Sequence, residues 1–340
     1  MRSNLCEGTN SVVTIIDVAR AAGVAPSTVS YVLSGKRSIS PQTRRVVEQS
    51  IRKLGYHPHA GARSLATSRT NVLALVAPLR EDLTVMDFVA AVATSARDRD
   101  QDLLLLTKDE GPTALRRVIS SAIADALIVL DVESADPRLP TLLSLGRPVV
   151  LIGAPDQTAG LTCVDLDYET AGARCVEHLA DLGHRSIALV GPSPAAYQRG
   201  ASSAGRFLRG ITNAANSHGT HLRARPCAPN YDAVRDCLDT LLAGEPTALV
   251  VHNEAVLPIA MAELHRRWLR VPDDLSVVAV CSDTAAISGA VPLTTVPVPA
   301  AELGGMAVEM VLRQVAGHTQ PEIRLLPPRL TPRASTGPRL

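Results

Sequence analysis

Along the first sixty residues the apolar positions recur with helical spacing. Ile15, Val18 and Ala19 fall on one face, and Ala22 closes the stripe. Thr14 stands before them as an N-cap, with Asp17 three residues on as a variant of the capping box. Gly23 marks a sharp turn, in a conformation glycine adopts without steric cost. Pro26 fits the first position of a second helix, where its missing N–H is not needed. Val29, Val32 and Leu33 form the inward stripe of that helix, while Ser27, Thr28, Ser30 and Tyr31 point elsewhere. Ser40-Pro41 opens a third helix that runs to about Leu54. Its stripe is Val46, Val47, Ile51 and Leu54, and Gly55 stops it. The plain reading is a helical hairpin in a core. A short helix with hydroxyls and one phenol outside, beside many arginines, instead predicts a helix-turn-helix that enters a DNA groove.

The pattern weakens at residues 59–70, a poor helix former with Gly61 inside. Its large apolar residue is Leu65, beside Ala62 and Arg63. Such a side chain acts as a wedge between base steps in a minor groove; the plainer role is a linker leucine. From Asn71 the period changes. Short apolar runs such as Val72–Ala77, Ala126–Leu130, Val149–Ile152, Ala248–Val251 and Leu275–Val280 alternate with helical stretches such as Val85–Ala96, Ala114–Ser121, Thr170–Leu182 and Phe207–Ser217. The alternation predicts parallel sheets covered by helices on both faces, with too many units for one sheet. Two similar lobes follow. Gly172 and Ala173 are small enough to bring their helix close to a neighbour, and Gly183 stops it.

Charge sharpens this division. Residues 1–70 hold ten Lys and Arg against three acids, although the whole chain of 340 residues carries only +1. A basic head on an acidic body is the footprint of a DNA-binding module joined to something else. The six cysteines show no C-x-x-C pair, and no apolar run reaches the length of a membrane span, so a reducing cytoplasm is expected. His178 and His184 are six apart, too far for one helix face. They read as a surface and a loop histidine rather than metal ligands. Residues 334–340 read as a frayed tail. No G-x-G-x-x-G, P-loop or G-x-S-x-G motif speaks for an enzyme, and no cofactor is expected.

T-I-I-D-V-A-R-A-A-G-V from Thr14 to Val24, S-T-V-S-Y-V-L from Ser27 to Leu33 and A-R-S-L from Ala62 to Leu65 resemble the lactose-repressor (LacI/GalR) family of bacterial transcription factors. The resemblance implies an all-α helix-turn-helix head and an α/β two-lobed, periplasmic-binding-protein-like body of two doubly wound parallel sheets. It implies a DNA-binding domain at 12–58, a hinge helix and linker at 59–70 and a body at 71–334. One lobe would hold 71–164 and 297–322, the other 165–293 and 323–334. Pro26, Ser27 and Tyr31 would face base edges, with Thr28 on the same helix. Thr14, Ser30, Ser34 and Arg37 would hold phosphates, and Leu65 from two subunits would kink the centre of a palindrome.

The resemblance also implies a small-molecule effector between the lobes, often a sugar or a nucleobase. Here the match degrades. Phe207 falls where the family often has an arginine, so Arg206 or Arg209 would supply the guanidinium. Asn253-Glu254 replaces Asn-Asp, and Cys281 replaces the usual effector carboxylate, with Asp283 two residues on. Phe88 falls in the apolar-aromatic motif after the first strand. The aromatics of the body are Phe88, Tyr168, Tyr197, Phe207, Tyr231 and Trp268. Without that carboxylate a less polar, non-sugar effector is expected, or a body that has lost its ligand. The reading is a dimeric, effector-controlled repressor of a palindromic operator, located at the nucleoid. An activator of the same family and a solute-binding receptor are the alternatives.

Overall fold

The computed structural model describes residues 13–34, 37–56, 69–78, 83–107, 115–116, 123–158 and 160–339. The chain divides into two compact units, residues 1–71 and 72–340. In the first, α1 (Ile15–Ala22), α2 (Pro26–Ser34) and α3 (Pro41–Leu54) follow in order. The Asp17 carboxylate anchors the start of α1, accepting from the Thr14 N–H at 2.9 Å and the Thr14 hydroxyl at 2.7 Å. Gly23, at φ 66°, ends α1 in the left-handed region, and the N–H groups of Gly23 and Val24 close onto the carbonyls of Arg20 and Ala19. The Ala25 carbonyl accepts the first bonds of α2, from Thr28 and Val29. Ser40 caps α3 by accepting from the Thr43 N–H at 3.1 Å.

Val18, Ala19, Val29, Val32, Val47 and Tyr56 bury together as the core of this unit. Two residues expected in the inward stripes lie outside it: Leu33 is 42% exposed and Val46 is 40% exposed. Each is one residue, about 100° of helical rotation, from a buried valine. A core made by three short helices has room for one of each adjacent pair.

The second unit begins with β1 (Val72–Val76), α4 (Leu83–Arg97), β2 (Asp102–Leu106), β3 (Ala126–Val129), α5 (Leu139–Ser144), β4 (Val149–Ile152) and β5 (Thr162–Leu166). It continues with α6 (Tyr168–Asp181), β6 (Ser186–Gly191), α7 (Pro194–Gln198), α8 (Ser202–Ser217), β7 (His221–Pro226), α9 (Tyr231–Leu242) and β8 (Ala248–Val251). It ends with α10 (Leu257–Arg266), β9 (Ser276–Cys281), α11 (Asp283–Ile287), β10 (Thr294–Pro297), α12 (Ala300–Val315) and β11 (Ile323–Leu326). Most of the helix expected at 114–121 lies outside the described residues. One sheet has the order β11-β5-β4-β3-β1-β2, the other β10-β9-β8-β6-β7, and the pairing is parallel throughout. Both are doubly wound. Their central strands are apolar runs buried on both faces, as a covered parallel sheet requires.

The strands move the expected lobe boundaries. β5 continues through Leu166 and pairs with β11 up to Leu326, so both strands belong to the first lobe. β10, through Pro297, belongs to the second. The chain therefore crosses at Asp167, between Pro297 and Ala300, and after Leu326. α12 returns to the first lobe, where Gln314 accepts from the Val149 N–H at 3.0 Å and donates to the Thr162 hydroxyl at 2.8 Å. The final residues are not a frayed tail. Ser335 is fully buried, donating to the Val277 carbonyl at 2.6 Å and accepting from the Thr294 N–H at 2.7 Å. The Arg339 N–H reaches the Leu182 carbonyl at 2.7 Å. The two histidines hold this segment. His184 is buried between the Thr247 hydroxyl and the Gly337 carbonyl, and His178 meets the Thr336 hydroxyl at 3.0 Å. No helix among the described residues is long and apolar enough to cross a membrane.

The second lobe depends on the close approach of α6 and α8. A Cβ on Gly210 would lie 1.9 Å from the Glu169 carbonyl oxygen, and one on Gly172 would lie 2.6 Å from both the Ile211 nitrogen and the Phe207 oxygen. Gly205, on the same helix, has nothing nearer than 4.0 Å. In urea unfolding, Gly210→Ala is expected to cost about 2–3 kcal/mol by overpacking. Gly205→Ala is expected to add about 0.5–1 kcal/mol by stiffening the unfolded helix segment.

Candidate functional site

In the first unit, α2 carries the surface predicted to meet DNA. Pro26 and Ser27 are exposed at its start, and Ser30 and Tyr31 are half-buried. Exposed Arg37 stacks its guanidinium 5.2 Å from the centre of the Tyr31 ring. Ser27, Ser30 and Tyr31 thus offer hydroxyl donors and acceptors, with a cation beside them. Thr28, on the same helix, is half-buried as well and stands four residues before buried Val32. The Thr14 hydroxyl proton is already given to Asp17. Ser34 is the last residue of α2. Ala62, Arg63 and Leu65 lie outside the described residues.

In the second unit, the residues just past the C-terminal ends of strands from both sheets line one cleft of about 720 Å³, as expected for doubly wound sheets. Asp131 follows β3, Pro192 follows β6, Ala228 follows β7 and His252 follows β8. A smaller cavity of about 100 Å³ adjoins it and is lined by Phe88, Asp165 and Tyr168 among others. A seam ties the lobes beside the cleft. Glu133 and Ala201 form an antiparallel bridge. The Ser134 N–H donates to the Gly200 carbonyl at 2.8 Å, and the Ser202 N–H to Val132 at 3.0 Å. The Ser202 hydroxyl also donates to the Ala154 carbonyl. Arg199 of the second lobe meets Asp131 of the first at 2.7 Å.

The residues expected to hold an effector are not all in the cleft. Asn253 lines it, with its amide donating to the Cys227 carbonyl at 3.0 Å. Phe88 lines the smaller cavity. The other four fall elsewhere. Arg206 is buried and turned to Asp165 at 2.8 Å, with Asp167 at 3.8 Å. Burial pushes the Asp165 carboxyl up to about 6, against the pull of Arg206 and of the Leu166 and Ala154 N–H groups. Arg209 is exposed and pairs loosely with Glu169 at 3.8 Å. Cys281 alternates with cleft-lining Val280 on β9, so its thiol enters the core on the other side, 3.4 Å from the Thr295 hydroxyl. Burial pushes that thiol up to about 11. Asp283 is exposed and taken by Arg333 at 2.7 Å.

The cleft instead presents Asp131, Arg199 and His252, which residue matching passed over, and Glu254, which it met only as the second residue of the Asn253-Glu254 pair. His252 is 8% exposed. Its ring lies 4.1 Å from that of fully buried Phe207 and 5.7 Å from that of Tyr168. Burial holds its pKa down to about 3, so the ring is neutral. Its Nδ1 is buried without a hydrogen-bond partner among the described residues, an arrangement that costs about 1–3 kcal/mol. The Glu254 carboxylate accepts from the Ser282 N–H at 2.7 Å and hydroxyl at 2.9 Å. The signal for three of these residues was positional: Asp131, His252 and Glu254 stand one to three residues past buried apolar strands.

A helix-turn-helix unit and a two-lobed body with a cleft at its strand ends define a DNA-binding regulator built on a receptor scaffold. The chain belongs to the LacI family: residues 14–59 match the bacterial regulatory proteins of the lacI family, and residues 176–336 match the periplasmic binding protein-like domain. It is 29% identical over 341 residues to the HTH-type transcriptional regulator DegA of Bacillus subtilis (strain 168), covering 96% of this chain and 98% of that protein. Among solved structures it is similar to the lac repressor dimer bound to operator and the anti-inducer ONPF, with a TM-score of 0.84 and 25% identity over 96% of this chain and 100% of that one. It is also similar to a transcriptional regulator CelR-cellobiose complex, with a TM-score of 0.69 and 25% identity over 95% of this chain and 99% of that one.

The Arg206–Asp165 pair yields a direct test. Asp165→Asn strands a buried guanidinium and is expected to lower stability by about 3 kcal/mol, whereas adding Arg206→Met should restore most of it. Urea unfolding of both single variants and the double variant at neutral pH measures the coupling.

Proposed function

We propose that this transcriptional regulator is a repressor that binds a palindromic operator as a homodimer, and that a small-molecule effector in the interlobe cleft sets its DNA affinity. The observation that carries this reading is the cleft itself, lined by both lobes beside the seam of residues 131–134 and 199–202. A ligand there touches both lobes and favours one arrangement of them over another. Ser27 and Tyr31 read base edges, and Pro26 offers apolar contact to a thymine methyl. Ser30, Ser34 and Arg37 hold phosphates. Leu65 enters the minor groove at the centre of the site. The protein works in the cytoplasm, at the nucleoid.

A second copy of the chain fits an apolar face of the second lobe. Leu257, Met261, Leu269, Val271 and Val291 line a cavity of about 770 Å³ there, and Trp268 at its rim is 87% exposed. So large an apolar surface marks an interaction site, and the similar lac repressor structure is a dimer.

Selection of bound duplexes from a random pool at moderate salt tests the reading. The wild type should enrich a palindrome. Tyr31→Phe should relax preference at one position in each half-site, by about 1–3 kcal/mol. Arg37→Ala should weaken all sequences alike and reduce the salt slope by about one. Failure to enrich any sequence would sink the proposal. Met261→Arg with Trp268→Glu is expected to give a monomer by light scattering, with at least a hundredfold loss of operator affinity.

A further inference from the structure

Resting on the receptor role proposed for the cleft, we infer that its effector is an uncharged or cationic nitrogen compound, an amine or amide with an apolar body, recognised by His252 and Glu254. Four observations carry this. First, His252 lines the cleft, is more than nine-tenths buried, and leaves Nδ1 without a partner among the described residues. A neutral imidazole has one N–H and one lone-pair nitrogen, so a ligand that meets Nδ1 satisfies an orphan polar atom. Second, among the described residues the cleft carries two carboxylates, Asp131 and Glu254, against one guanidinium, Arg199, which pairs with Asp131. An anionic ligand would meet surplus negative charge. A donor-bearing ligand finds the Glu254 oxygens, whose lone pairs exceed the two bonds from Ser282. Third, Arg199 Nε is also buried without a partner among the described residues, and offers an N–H to an amide oxygen. Fourth, Pro192, Pro194, Ala195, Val280 and Val298 supply carbon walls. A polyol would face them with unpaired hydroxyls, whereas an apolar body is desolvated favourably.

Phe207 completes the arrangement. It stands where the family resemblance puts an arginine, and its ring backs the imidazole. One substitution therefore removes a charged donor and props up a neutral group in its place.

The test is thermal unfolding and calorimetry of the full chain with five probes: phenethylamine, phenylacetamide, phenylacetate, glucose and glucose 6-phosphate. The amine and the amide should raise Tm and bind; the two anions and glucose should not. His252→Phe should leave Tm without ligand unchanged or higher, because it removes an orphan nitrogen, and should weaken both nitrogen probes at least tenfold. Glu254→Gln should weaken the amine more than the amide. Tighter binding of phenylacetate or either sugar overturns the inference, as does unchanged probe affinity in both variants. Ser203→Trp, which fills the cleft, separates the two levels. If glucose binds and Ser203→Trp abolishes it, the receptor reading stands and the chemical class falls. If no probe binds and Ser203→Trp leaves operator affinity in cell extract unchanged, both fall.

Discussion

Arg206 donates to Asp165 across the line where the chain first passes from one lobe to the other. Both side chains are buried, so neither tolerates loss of the other without leaving an uncompensated charge. The bond positions α8 against the end of β5. The same helix carries Phe207, which supports His252, and Ser202 and Ser203, which edge the cavities. The cleft is thus placed by a structural ion pair that uses up a guanidinium matched, from residue type alone, to an effector. The close contact of α6 and α8 through Gly172 and Gly210 makes that placement rigid, since backbone meets backbone with no side chain to repack.

The polar chemistry of the cleft follows from what remains. Arg199 is paired with Asp131 across the seam, and Glu254 is oriented by Ser282. His252 stays neutral because burial disfavours its charged form, and no carboxylate among the described residues offsets that cost. These are the groups that an effector would meet, and they differ in kind from the arginine and carboxylate of the family pattern.

In the first unit the logic is more local. Thr14 with Asp17, Gly23, Pro26, Ser40 and Gly55 set where helices start and stop, through bonds to residues three to five positions away. Four valines, an alanine and a tyrosine close the small core, which leaves the outer face of α2 free to carry Ser27, Ser30 and Tyr31. The cation over the Tyr31 ring is a tertiary addition, since Arg37 lies beyond the end of that helix.

The sequence by itself determined the helix-turn-helix, the change of period at Asn71 and the alternation of buried strands with helices. Caps, turns and apolar runs are local properties, and hydrogen bonding within a few residues enforces them. It did not reveal β5, β7, β10 or β11. TCVDL carries its own polar residues, while HLRARP and IRLL form exposed sheet edges that need no apolar face. Nor did it show that the last residues, through Arg339, are packed into the second lobe, because their partners lie scattered at Leu182, Val277 and Thr294. The cleft was the most dependent on tertiary structure. Whether Cys281 or Val280 faces it is set by strand register. Whether Arg206 is available is set by Asp165, 41 residues away. Such contacts leave no periodic trace along the chain, and only the folded arrangement of two sheets brings them into being.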